Sequence, residues 1–124
     1  KTDMPLLIYD GKHIPFPDNS FDTLLFIYVL HHVNDPIGLL NEAKRVCKGN
    51  IVIFEDTKIS LLTKFMDFAA NKMRGVETPF YFHSEEEWKA IFKKLNLKIT
   101  AVKHDVEREW FYPFVTHTMF VVRK

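Results

Sequence analysis

The side chains in this sequence best suited to chemistry are Asp10, the adjacent pair His31 and His32, and the adjacent pair Glu55 and Asp56. Each stands at the end of an apolar run, where an open α/β sheet presents the residues that touch a ligand. Imidazole gains and loses a proton near neutral pH, so either histidine is able to act as a base towards an acceptor or to contact a bound molecule. The same two residues also read as loop histidines making ordinary hydrogen bonds. Adding His13 would bring three imidazoles together, but adjacent strand residues point to opposite faces, and no metal site is expected. Asp10 followed by Gly11 offers a carboxylate beside a backbone donor, or simply a turn. Glu55 and Asp56 are weaker candidates, since a charged pair closing a strand is more often just solvated.

These residues need elements to position them. Leu6 to Tyr9 reads as a short strand, and Pro15, Pro17 and Asp18-Asn19-Ser20 as an extended segment closed by a turn. Thr23 to Tyr28 is a continuous apolar run, the pattern of a strand covered on both faces, and is expected at the centre of a sheet. Asp35-Pro36 predicts a helix start, with Ile37, Leu40, Ala43 and Cys47 along one face and Lys48-Gly49 at its end. Ile51 to Phe54 follows as a second buried strand, and the short connection predicts a right-handed parallel crossover from the first.

Beyond it, Leu62, Phe65, Met66, Ala69 and Met73 recur at helical spacing, which predicts a helix over Lys58 to Arg74 closed by Gly75. Ser84 with Glu87 is a capping box opening a helix that carries Trp88, Ile91, Phe92 and Leu95 and ends near Asn96. Leu97 to Val106 and Val115 to Val122 alternate as an antiparallel pair, joined by the aromatic segment Trp110 to Phe114, for which packing is expected. The alternation predicts one α/β domain over residues 1–124 with a mixed sheet and a C-terminal antiparallel strand pair.

Composition removes several classes of function. Seventeen Lys and Arg against sixteen Asp and Glu leave a formal charge of +1, without the basic stripe that tracks a phosphate backbone, so nucleic acid is not the expected partner. Cys47 is the single cysteine, which excludes an internal disulfide and suits a reducing, cytoplasmic setting. The apolar run from Thr23 to Leu30 is well short of the about 20 residues a spanning helix needs, so no membrane span is expected.

As a run in this order, the motifs resemble the middle and end of a class I S-adenosylmethionine-dependent methyltransferase, of the kind called methyltransferase type 11. The residues that carry the resemblance are Tyr9-Asp10-Gly11, Ile14-Pro15-Phe16-Pro17-Asp18-Asn19-Ser20-Phe21-Asp22, Leu30-His31-His32, Asp35-Pro36 and Arg45-Val46-Cys47-Lys48-Gly49. The resemblance implies a partial Rossmann-like methyltransferase sheet and S-adenosyl-L-methionine as cofactor. It places Asp10, Gly11, Ile14 and Tyr28 at the cofactor, with Asp10 accepting from the adenine amino group and Gly11 donating to the neighbouring ring nitrogen. It places His31 and His32 near the reacting centre, a small molecule as methyl acceptor, and a substrate lid in the second half.

One family feature is missing. The glycine-rich turn after the first strand has no counterpart among Gly11, Gly38, Gly49 and Gly75, and the chain opens on Lys1. The chain is therefore expected to be a C-terminal portion that binds cofactor poorly by itself. Its bare sheet edge should drive self-association or pairing with a partner that supplies the N-terminal half. A non-catalytic module associating through that edge is the alternative, and a nicotinamide-dependent oxidoreductase is a distant third, since it too needs a glycine-rich turn.

Overall fold

A computed structural model describes residues 5–59, 72–73, 82–104 and 115–124. Strand β1 (Phe21–Ile27) leads through a short 3₁₀ turn (Leu30–His32) into helix α1 (Pro36–Val46), which returns the chain to strand β2 (Cys47–Ile59). Helix α2 (Glu85–Lys94) precedes strands β3 (Lys98–His104) and β4 (Val115–Arg123). The strands form one sheet in the order β1, β2, β4, β3, with β1 parallel to β2 and β4 antiparallel to both neighbours. This is the mixed α/β sheet that the alternation predicts.

Local chemistry starts both helices as expected. The Asp35 carboxylate accepts from the backbone N–H of Gly38 at 2.8 Å, and Pro36 takes the first position, where its missing N–H has no helical partner to lose. At α2 the Ser84 hydroxyl accepts from the Glu87 N–H at 3.3 Å while the Glu87 carboxylate accepts from the Ser84 N–H at 2.6 Å, closing the capping box from both sides. Asn96 ends that helix in the left-handed region, with φ of 53°.

The core lies on one face of the sheet. Phe26, Ile51, Ile53, Phe120 and Val122 recur at the strand period of two and are buried against Leu39, Leu40 and Ala43 of α1 and Trp88 and Phe92 of α2. Trp88 stacks on Phe92 with ring centres 5.8 Å apart, and Phe92 meets Phe120 edge-on at 5.3 Å. Losing the Phe92 ring would cost about 3–5 kcal/mol on the scale of buried aromatic truncations.

Four expectations are corrected. The Thr23 to Tyr28 run is at the edge of the sheet, not its centre, and Leu25 and Ile27 are 56% and 51% exposed. Its sequence is apolar enough for a central strand, but only β2 hydrogen-bonds to it among the described residues. Leu6 to Tyr9 is not a strand: its backbone joins no ladder among the described residues, and Leu6 and Ile8 are 91% and 89% exposed. Cys47 belongs to β2 and caps α1 instead of extending its apolar face.

Lys58 likewise stands in β2, which runs past Phe54 because β4 pairs with it from Asn50↔Arg123 to Ile59↔Val115. Of the helix expected to start there, Lys72 and Met73 are helical and Met73 is 89% exposed. The rest of that segment and the aromatic run Trp110 to Phe114 lie outside the described residues.

Candidate functional site

A cavity of about 350 Å³ opens between two segments far apart in sequence: Asp10, Gly11 and Lys12 on one wall, and His32 to Asp35 with Gly38 and Leu39 on the other. A volume of this size accommodates a small organic ligand. The first wall is a turn built by Asp10. Its carboxylate oxygen Oδ1 accepts from the backbone N–H of Lys12 at 2.9 Å and of His13 at 3.0 Å. These donors, His13 first and Lys12 next, hold the carboxyl below the usual range, so it is an anion with acceptor capacity to spare. Gly11 adopts φ of 74°, a conformation in which a side chain would be strained.

Helix α1 holds the segment that follows. Glu42 accepts from the Ile14 N–H at 3.0 Å, and Arg45 donates to the carbonyls of Ile14 and Phe16, both at 2.9 Å, and to the Asp18 carboxylate at 2.9 Å. Glu42 and Arg45 also bridge each other at 2.8 Å. Arg45 is the main reason the Glu42 carboxyl is lowered to about 2, with the Ile14 N–H adding to it against some burial. The Ile14 N–H and the Ile14 and Phe16 carbonyls of this irregular run are thus satisfied by two side chains one helical turn apart. Arg45 belongs to the resemblance, yet the sequence reading gave neither it nor Glu42 a role; a Glu-x-x-Arg pair on a helix facing a proline-rich loop was the available signal.

The second wall contains His32, whose ring centre is 4.0 Å from that of His31. His31 turns inward. It is 6% exposed, its Nδ1 lies 2.6 Å from Glu55 Oε2, and its ring stacks on Phe82 at 5.1 Å. The other Glu55 oxygen accepts from the Leu30 N–H at 2.7 Å, so one buried carboxylate on β2 both closes the turn after β1 and orients an imidazole. A carboxylate at Nδ1 selects the tautomer with its lone pair at Nε2.

Tyr28 stands elsewhere. It ends β1 with φ of 52°, donates its N–H to the Phe54 carbonyl at 2.9 Å, and meets the His117 ring edge-on at 5.6 Å. His117 Nδ1 in turn lies 2.6 Å from Asp56 Oδ1. Burial raises the Asp56 carboxyl above its usual range, and His117 pulls it down in opposition.

The structure therefore brings Asp10, Gly11 and His32 to one cavity. Ile14 is held on α1, His31 beneath the turn, and Tyr28 beside His117. His117 was missed by the sequence reading, since nothing near it in the chain marks it as a partner of Asp56. Among the described residues, no cluster of three or more His, Cys, Asp or Glu side chains is placed to hold a metal ion. Nor is any helix among them long and apolar enough to cross a membrane.

Comparison with known proteins bears on what this cavity belongs to. A family model described as methyltransferase domain matches residues 2–54, which contain both cavity walls and β1, α1 and most of β2. The ubiquinone/menaquinone biosynthesis C-methyltransferase of Cupriavidus pinatubonensis is 35% identical over 57 residues, 44% of this chain and 24% of that protein. An uncharacterized protein of Methanocaldococcus jannaschii is 30% identical over 115 residues, 88% of this chain and 54% of that protein. A SAM-dependent methyltransferase of Methanosarcina mazei superimposes with a TM-score of 0.71 at 18% identity, over 94% of this chain and 65% of that one.

The chain thus spans between about a quarter and two thirds of the proteins it matches. The family model matches the segment that builds the cavity, and the sheet and helices behind it have the fold of a solved SAM-dependent methyltransferase: in both respects the chain is similar to class I methyltransferases.

Proposed function

We propose that residues 1–124 form the C-terminal portion of a methyltransferase domain that uses S-adenosyl-L-methionine to methylate a small molecule, and that the cavity beside Asp10 takes the adenine end of that cofactor. The observation that carries this reading is the cavity itself, which unites the Asp10-Gly11 turn with His32 across about twenty intervening residues of the family match. The residues present fit an adenine: an anionic acceptor at Asp10, a backbone donor at Gly11, and an apolar wall from Val33 and Leu39. When bound, the cofactor supplies a methyl group on a positively charged sulfur. The chain's own part is to hold and orient, with Ile14 fixing the path of the loop through Glu42 and Arg45, and Tyr28, which follows β1, assigned to the cofactor by the resemblance. His32 on the wall, and His31 held behind it by Glu55, are the histidines we assign to the reacting side.

The methionine end has no matching glycine-rich turn in the sequence. Two or three hydrogen bonds at about 1–3 kcal/mol gross, less the ordering of the ligand, leave an affinity of about millimolar for this chain alone. Titration of the isotopically labelled chain with S-adenosylhomocysteine, followed by amide NMR, tests the reading. Concerted shifts at Gly11, Lys12, Val33 and Asn34, abolished by Asp10→Ala, are expected. No shift at any of these amides at millimolar ligand would sink it.

The exposed edge favours a second reading, in which the chain is a non-catalytic module that associates through β1. Leu25 and Ile27 are more than half exposed on a strand with one open side among the described residues. Light scattering separates the two: stable self-association without ligand-induced shifts supports the module. A cytoplasmic setting suits either reading, since the buried thiol of Cys47 has no partner cysteine.

A further inference from the structure

His31 is not alone in having a carboxylate at Nδ1. On the next residue of β2, Asp56 makes the same 2.6 Å contact with His117, which lies opposite it in the β2–β4 ladder. Because neighbouring strand residues turn to opposite faces, the first pair sinks into the core side of the sheet and the second faces away from it. The difference in access is clear. The side chains of His31 and Glu55 are 8% and 1% exposed, those of His117 and Asp56 17% and 20%. The His31 ring is flanked by His32 and Phe82, whereas His117 has one ring contact among the described residues, with the edge of Tyr28.

The Asp56 pair does not line the cavity beside Asp10, but two further observations favour its meeting a ligand. Asp56 lies two residues beyond Phe54, the last partner of β1, at the carboxyl end of the parallel strands where open α/β sheets bind ligands. Tyr28, the residue against His117, adopts a left-handed conformation that costs a non-glycine residue about 1 kcal/mol or more and that concentrates at functional sites.

We propose that His117, oriented by Asp56, is the proton acceptor for the methyl-accepting substrate. The inference rests on the methyltransferase reading and adds a catalytic residue to it. The Nδ1–H donates to the Asp56 carboxylate, which leaves the lone pair at Nε2, and Nε2 has no hydrogen-bond partner among the described residues. The O–H or N–H bond of a protic acceptor breaks, its electron pair stays on the acceptor atom, and the proton forms a new N–H bond at Nε2. The resulting imidazolium is paired with Asp56, whose burial makes an adjacent positive charge welcome. Asp56 acts through His117 and is a positioning residue; His31, enclosed with Glu55, stays behind His32 and takes no proton in this step.

Diethylpyrocarbonate modification, read by mass spectrometry on the full chain, tests this assignment. An unprotonated, accessible Nε2 reacts, so His117 should be carbethoxylated severalfold faster than His31. Asp56→Asn should slow His117 severalfold while leaving His83 and His104 unchanged, and Asp56→Glu should restore the rate. A His117 that reacts no faster than His31, or that ignores Asp56→Asn, overturns the inference. Should Asp56→Asn fail to fold, the order of reactivity in the unchanged chain still decides. The S-adenosylhomocysteine titration separates the two levels: a chain that shows no shifts overturns the methyltransferase reading and this assignment with it, whereas one that binds but has an inert His117 overturns this assignment alone.

Discussion

Two imidazole–carboxylate pairs sit on consecutive residues of one strand, with the same 2.6 Å separation and opposite surroundings. Glu55 is buried and shared between His31 and the Leu30 N–H, so its carboxylate is part of the device that turns the chain after β1. Asp56 is partly exposed and contacts His117 across a β-ladder, leaving the fold little dependent on it. The chemical pair is the same; the face of the sheet decides whether it anchors backbone or remains available to a ligand.

The largest effect should come from breaking the buried pair. Glu55→Ala strands the His31 ring and the Leu30 N–H without their acceptor, and a loss of about 3–5 kcal/mol is expected in urea unfolding. Asp56→Ala should cost about 1 kcal/mol on the same scale. Equal losses at the two positions would remove the distinction between them.

The turn that carries His31 and the Tyr28 ring against His117 both leave the seam between β1 and β2, and Gly49 tests it. A Cβ at Gly49 would collide with the carbonyl oxygen of Asp22 on β1, which is backbone and cannot swing aside. Gly49→Ala is therefore expected to cost about 1–3 kcal/mol. It should disturb the amide signals of Leu30 and Tyr28 together; a disturbance confined to one would show that the two do not share the seam.

A smaller expected loss sharpens the contrast between local and long-range anchoring. Ser84→Ala removes the cap of α2 and should cost about 1 kcal/mol without changing the modification rate of His117.

Acid extends the comparison to a third carboxylate, Glu42 on α1. Its folded value is depressed to about 2 from the ordinary 4.5, chiefly by Arg45, so its contribution is present above pH 4.5 and lost as the pH falls towards about 2. Faster exchange of the Ile14 amide across that interval, before the core amides follow, is the expected sign. An Ile14 amide protected unchanged through it would show that the loop does not depend on Glu42.

Much of the local structure was legible in the sequence. Asp35-Pro36 and Ser84 with Glu87 start their helices because a cap satisfies donors two or three residues away, within reach of pattern reading. The antiparallel β3 and β4 followed from alternation, and the run from Tyr9 to Asp22 carried the family resemblance. Asp10-Gly11 is a turn in its own right and also a wall of the cavity, so the two readings of that dipeptide were not exclusive.

What the sequence determined by itself is therefore what neighbours determine: caps, turns, strand alternation and the family resemblance those motifs carry. The tertiary structure alone decided which of two adjacent histidines is buried and that Asp56 meets His117 sixty-one residues on. Those outcomes hang on ladder register and on cover from distant segments. A strand's composition records that it is apolar but not how many neighbours it will find.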